Sequence, residues 1–157
     1  MQVVSSFRIM LQEAPPRLAK ISSETAGLHS KPDSWSPKQE LGHLLDSAIM
    51  NHQRLLRVLR EDNPTLPDYD GDFCAAAHQY QARTWQELIE TWRTLNSHFL
   101  WAIEGVSDAG WQRPCVFGGK PVTLEFLVSD YIRHAQHHLR HAGISAADLD
   151  QSSRVSA

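Results

Sequence analysis

The tetrapeptide Ser36-Pro37-Lys38-Gln39 fixes a helix start more firmly than any other stretch of this chain. A serine can accept from the backbone ahead of it, and a proline at the first helical position gives up only an N–H that has no partner there. A glutamine three residues on can bond back to the serine N–H. A helix from Pro37 to about Glu61 is expected, with Arg57 and Arg60 near its negative C-terminal end. Thr84-Trp85-Gln86-Glu87 repeats the signal and opens a second long helix to about Glu104. Val4 to Ala26 reads as a first helix, kinked or restarted at Pro15-Pro16 because proline removes donors. A last helix runs from about Thr123 to Gly143, a suitable C-terminal cap. Between these lie a polar connection at 29–35, a turn-rich loop at 62–71, a short helix near Phe73 to Gln79 and one helical turn at Ser107 to Trp111. Residues 112–122, with Gly118-Gly119, make a loop or a small hairpin.

No alternating apolar segment is long enough to suggest a sheet. Four long amphipathic helices predict an all-α four-helix bundle with a short extra helix and a long loop between helices 2 and 3. The 157 residues, 41% of them apolar, suit one domain with a real core. That domain is expected over 1–143, with 144–157 a small, polar, poorly ordered tail. The 15 Lys+Arg against 18 Asp+Glu give a net charge of −3, which argues against a nucleic-acid footprint. No apolar run approaches the ~18 residues of a membrane span. Two widely spaced cysteines, Cys74 and Cys115, make no disulfide framework, so a reduced, cytoplasmic location is expected.

Histidine is the outlier: nine in all, four of them within residues 134–141. Placed on a helical wheel with His134 at zero, His138 lies at about 40° and His141 at about −20°, all at one margin of the apolar face. His137 lies further round. In the Pro37 helix, His43 sits off the edge of the arc formed by Leu41, Leu44, Leu45, Ala48, Ile49, Leu55, Leu56 and Leu59. His52 falls near the middle of that arc and reads as a core histidine. Imidazoles one turn apart project from the same face and can share an ion, and a third from a neighbouring helix leaves a fourth position open, as in catalytic zinc sites. Periodicity alone leaves His43 against His52, and His134/His138 against His137/His141, undecided.

The run Trp35 to Asp46, with its Gly42-His43-Leu44-Leu45-Asp46, followed by Asn51 and Arg54, resembles the DinB/YfiT superfamily. So does Asp130-Tyr131-Ile132-Arg133-His134-Ala135-Gln136-His137-His138-Leu139. The order and separation of these motifs carry the likeness over nearly the whole chain. The resemblance implies a DinB/YfiT-type bundle, often a homodimer, with a divalent metal (zinc or nickel) on three histidines. By motif these are His43, His134 and His138. Many members carry Gln where this chain has His141, which offers a fourth nitrogen. Members of known activity are thiol-dependent transferases and isomerases, or metal-dependent hydrolases. The resemblance therefore implies activation of water or a low-molecular-weight thiol toward a small-molecule substrate. The alternative is a non-catalytic metal or small-ligand binding protein.

Asp46, near His43, is a candidate to accept the free N–H of a ligating imidazole. Tyr131 is a candidate acid or hydrogen-bond donor. Arg54 lies within about 20° of His43 on the wheel; structural pairing is the expectation for it, an anionic substrate the alternative. The five tryptophans are expected in the core or over its ends.

Overall fold

The computed structural model describes residues 2–145. α1 (Gln2–Leu18) passes through Pro15 and Pro16 and stops at Leu18, so the expected restart comes one turn late, at α2 (Ser23–Ala26) behind its Ser22 cap. α3 (Pro37–Arg60) carries the complete capping box. Gln39 N donates to Ser36 Oγ at 3.4 Å, and Ser36 N donates to Gln39 Oε1 at 3.0 Å. α4 (Gly71–His78) is capped by Asp70 and runs into a single 3-10 turn, Tyr80–Ala82. α5 (Trp85–Glu104) opens on the second capping box, and α6 (Asp108–Trp111) is the expected single turn.

β1 (Pro114–Phe117) and β2 (Lys120–Thr123) form an antiparallel hairpin. Its turn residues Gly118 and Gly119 have φ of 56° and 73°, the left-handed backbone that a tight two-residue turn needs. Val116 also bridges to Thr65, tying the long loop after α3 to the hairpin. α7 (Leu124–His141), behind a Thr123 cap, is the fourth long helix among the described residues.

α1, α3, α5 and α7 form a four-helix bundle in which α3 packs on α5 and α7, and α1 packs on the same two. At its centre Phe7, Phe99 and Tyr131 meet edge to face, with centroids 5.3–6.0 Å apart. No helix among the described residues is long and apolar enough to cross a membrane.

The wheel of α3 requires one correction. Ile49 and Leu56 were assigned to the apolar face but are 46% and 55% exposed. The reason lies on the other side of the helix, where the polar stripe Glu40, His43, Ser47 and Arg54 is buried. Burying that stripe turns the outer edge of the leucine arc toward solvent. His52 follows it: half-buried, it meets His98 edge-on at 4.8 Å instead of entering the core. Trp101 is likewise an exception among the tryptophans, 71% exposed and stacked on His98. Ile144, assigned by sequence to the tail, is buried and its N–H donates to Leu139 O. The tail from residue 146 onward lies outside the described residues.

Candidate metal centre

α3 and α7 lie side by side, so one imidazole from α3 meets two from α7. The ring centroid of His43 stands 5.0 Å from that of His134 and 4.5 Å from that of His138, and the latter two are 4.4 Å apart. One ligand atom from each lies within 4.8 Å of the others. The Nε2 atoms of His43 and His134 are separated by 3.1 Å. Two nitrogens bound to zinc at ~2.0–2.1 Å with tetrahedral angles stand about 3.3 Å apart, so this spacing fits a shared ion. His137 and His141 meet each other with rings tilted and centroids 4.2 Å apart, outside the cluster.

The far nitrogens are held from behind. His138 Nδ1–H donates to Glu40 Oε2 at 2.6 Å, and His134 Nδ1 lies 3.4 Å from Ser47 Oγ. Each contact occupies Nδ1 and leaves the Nε2 lone pair for the centre, which is how outer partners fix a ligating tautomer. His43 Nδ1 is buried without a partner, pressed against Gly71 at the start of α4. A Cβ on Gly71 would stand 2.9 Å from His43 Cε1, so only glycine lets the α3–α4 connection close over this ring. Trp35 and Tyr69 flank His43 with centroids at 5.0 and 6.2 Å.

Burial, and then repulsion from the neighbouring imidazoles, pushes His43 down to about 3. Burial and His138 push His134 down to about 4. Both rings are therefore neutral at physiological pH, the form a metal requires.

Glu40 is the residue that sequence reasoning missed. It sits one turn before His43 on the same side of α3, is 6% exposed, and reaches both His138 and, at 3.4 Å, His141. Its spacing from His43 was a usable signal, obscured because an acidic residue in a first turn is already explained by the helix dipole. Asp46 serves a different partner: its Oδ1 accepts from Tyr80 Oη at 2.7 Å and lies 2.9 Å from His78 Nδ1. Gly42 makes room for this, since a Cβ there would stand 2.2 Å from the Tyr80 ring. Tyr131 turns its hydroxyl into the core, donating to Asn96 Oδ1, and so directs no proton at the histidines. Cys115 is buried, which pushes its thiol up; desolvation and then Asp46 and Asp70 raise Cys74.

Beside His134 a cavity of about 180 Å³ runs between α3, α7, the loop after α3 and the hairpin. Ser47, Asn51, Arg54, Tyr69 and Phe117 line it. The histidine cluster thus has a chamber next to it, shared through His134.

The sequence profile of the DinB superfamily matches residues 6–142. The chain belongs to the DinB superfamily. Among curated relatives, this DinB protein is 26% identical to a Halalkalibacterium halodurans protein over 112 residues, 69% of this chain and 64% of that one. It is 24% identical to a Bacillus licheniformis protein over 139 residues, 83% of this chain and 78% of the other. Both are named for a proposed metal-dependent hydrolase activity. The chain thus spans just under two thirds of the first relative's length. Among solved structures, YfiT from Bacillus subtilis superposes with a TM-score of 0.78 at 19% identity, over 90% of this chain and 83% of that one. That protein is described as a four-helix bundle with a proposed metal-dependent hydrolase role. A mycothiol-dependent maleylpyruvate isomerase gives a TM-score of 0.75 at 15% identity, over 92% of this chain and 61% of that one. These two likenesses bear on the fold.

Proposed function

We propose that this DinB protein is a metal-dependent enzyme in which His43, His134 and His138 hold one zinc or nickel ion. When bound, such an ion supplies Lewis-acid polarisation of a water or a low-molecular-weight thiol, for hydrolysis or S-transfer on a small-molecule substrate. Glu40 and Ser47 keep two of the three imidazoles turned inward, and Trp35 and Tyr69 shield His43 from bulk water. The observation that carries the reading is the meeting of three imidazoles, two held from behind, at the mouth of a chamber. The names of the relatives support a metal-dependent role. Three protein nitrogens leave a tetrahedral position free, as catalytic sites require.

The test is metal content by mass spectrometry on untagged protein, with about one ion per chain expected for a single three-histidine site. Less than about a tenth of an equivalent, with no zinc or nickel uptake at pH 7–8, would overturn the reading. The reading further takes the protein as a cytoplasmic homodimer. The exposed large apolar side chains Ile49 and Leu56 on α3 and Trp101 on α5 support self-association. Sedimentation of wild type against Leu56→Glu tests it, with a shift to monomer expected.

A further inference from the structure

Arg54 is a buried cation whose hydrogen bonding is incomplete. It is 6% exposed and lies in the wall of the chamber beside His134. Among the described residues, Nη2 alone of its three nitrogens is hydrogen-bonded, donating to Pro67 O at 2.8 Å, while Nε is buried with no partner there. Its nearest carboxylate, Asp68, stands 3.6 Å away on a side chain 84% exposed to water. The guanidinium carbon sits over the Phe117 ring, 4.4 Å from its centroid, and 5.9 Å from that of Tyr69. A buried charge with unused donors is costly unless an anion completes it. Tying down the loop at Pro67 needs one neutral contact, which a shorter polar side chain could make without burying a charge.

We propose that this chamber is a carboxylate subsite, in which Arg54 grips the acid group of a short substrate whose reactive end reaches the histidine cluster past His134. The site thereby selects small organic acids. The proposal rests on the metal-dependent reading only for what happens at the reactive end; the grip itself belongs to Arg54.

Size and charge narrow the class. The chamber's 180 Å³ is room enough beside Arg54 for the acid group and a few carbons of a small organic acid. A planar guanidinium matches a carboxylate through paired N–H bonds. Asp68 and Asp130 also line the chamber, so its field favours a singly charged acid over a phosphate dianion. Asp130 is itself held at 2.5 Å by Arg133, and among the described residues Arg54 is the arginine in the chamber lining. Ser47 and Asn51, on the same side of α3, are placed to meet polar atoms between the acid group and His134.

The experiment is calorimetric titration with propionate, its neutral isostere propionamide and inorganic phosphate. Each is run on chelator-treated and on zinc-loaded protein, with zinc stoichiometry measured in parallel. Propionate should bind saturably and at least about tenfold more tightly than propionamide, with Arg54→Lys losing most of that preference. Arg54→Lys should keep its zinc stoichiometry, which separates loss of the acid grip from loss of the metal. Asp68→Asn changes an exposed side chain, leaves the fold alone, and should tighten propionate several-fold by removing the competing carboxylate. Equal binding of propionate and propionamide would overturn the proposal, as would propionate affinity unchanged in both variants, or binding of phosphate in place of propionate. If zinc fails to bind while the Arg54-dependent preference persists in chelated protein, the metal reading falls and the carboxylate subsite stands.

Discussion

Glu40→Gln isolates the contribution of one buried charge to metal binding. Glu40 Oε2 accepts the His138 Nδ1–H at 2.6 Å, and the residue is 6% exposed. Glutamine keeps the length and an accepting oxygen, so the ring stays oriented while the negative charge behind it disappears. Hydrogen bonds to charged groups are worth about 1.5–3 kcal/mol, and outer-partner substitutions weaken metal sites about 10–100-fold, two scales that agree. At zinc 100-fold above the wild-type Kd, binding stabilises the folded state by about 2.7 kcal/mol. A 10–100-fold weaker site at the same zinc concentration retains about 1.4–0.4 kcal/mol. For a domain of this size each kcal/mol moves Tm by about 2–4 °C, so the zinc-induced rise falls from about 5–11 °C to between a half and a sixth of that. The assay is thermal unfolding of each protein with chelator and with zinc, read as the difference between the two. That difference removes whatever the substitution does to the metal-free fold. His137→Ala, outside the cluster, is the control and should keep the full increment. A Glu40→Gln protein whose zinc increment equals that of wild type would show that the carboxylate does not support His138 as a ligand.

Three further outcomes follow from the same geometry. Chelator-treated protein should lose stability as pH falls from about 6.5 toward 4. His43 and His134 take up protons near 6.5 when unfolded but only near 3 and 4 when folded, so the unfolded state gains the extra protons. The slope is at most about 1.4 kcal/mol per pH unit for each ring, and urea titrations giving equal stability at pH 7 and pH 5 would contradict it. Gly71→Ala should lower both zinc affinity and the metal-free Tm, since its methyl would stand 2.9 Å from His43 Cε1 and the buried ring or the backbone must shift; unaltered zinc affinity by calorimetry would refute the close approach. His141→Ala should still bind one zinc per chain, because the residue contacts Glu40 at 3.4 Å and lies outside the three-histidine cluster; loss of stoichiometric zinc would make it a ligand.

Legibility in the sequence tracks how local the physics is. Ser36, Thr84 and Thr123 each bond to a backbone N–H three residues ahead, so the helix starts are written in short peptides. The ends of α1 are less local: Pro15 and Pro16 remove donors, yet the helix continues to Leu18, and the restart waits for the Ser22 cap. His43, His134 and His138 were reached only through resemblance, because the wheel gives direction within a helix and is silent on which two helices meet. Ile49, Leu56 and His52 were misplaced for the same reason. The burial of one margin of α3 depends on its partner, and an apolar arc cannot say that its polar neighbour will be covered instead.

That covered margin connects the metal centre to the chamber. Glu40, His43, Ser47, Asn51 and Arg54 fall within about 80° on the wheel, a single stripe along α3 facing α7. From its N-terminal end the stripe holds the carboxylate bonded to His138, then the His43 imidazole, then the hydroxyl beside His134, then an amide and a guanidinium at the chamber wall. One straight helix thereby sets the order of all five groups, with adjacent groups of the stripe separated by about 4.5–6 Å along the axis, at 1.5 Å of rise per residue. Changing which acid fits the proposed subsite would require only side chains near the Arg54 end, beyond His43. The Arg54 end of the chamber can therefore vary without touching His43 or His138, while Ser47 and His134 belong to both the cluster and the chamber.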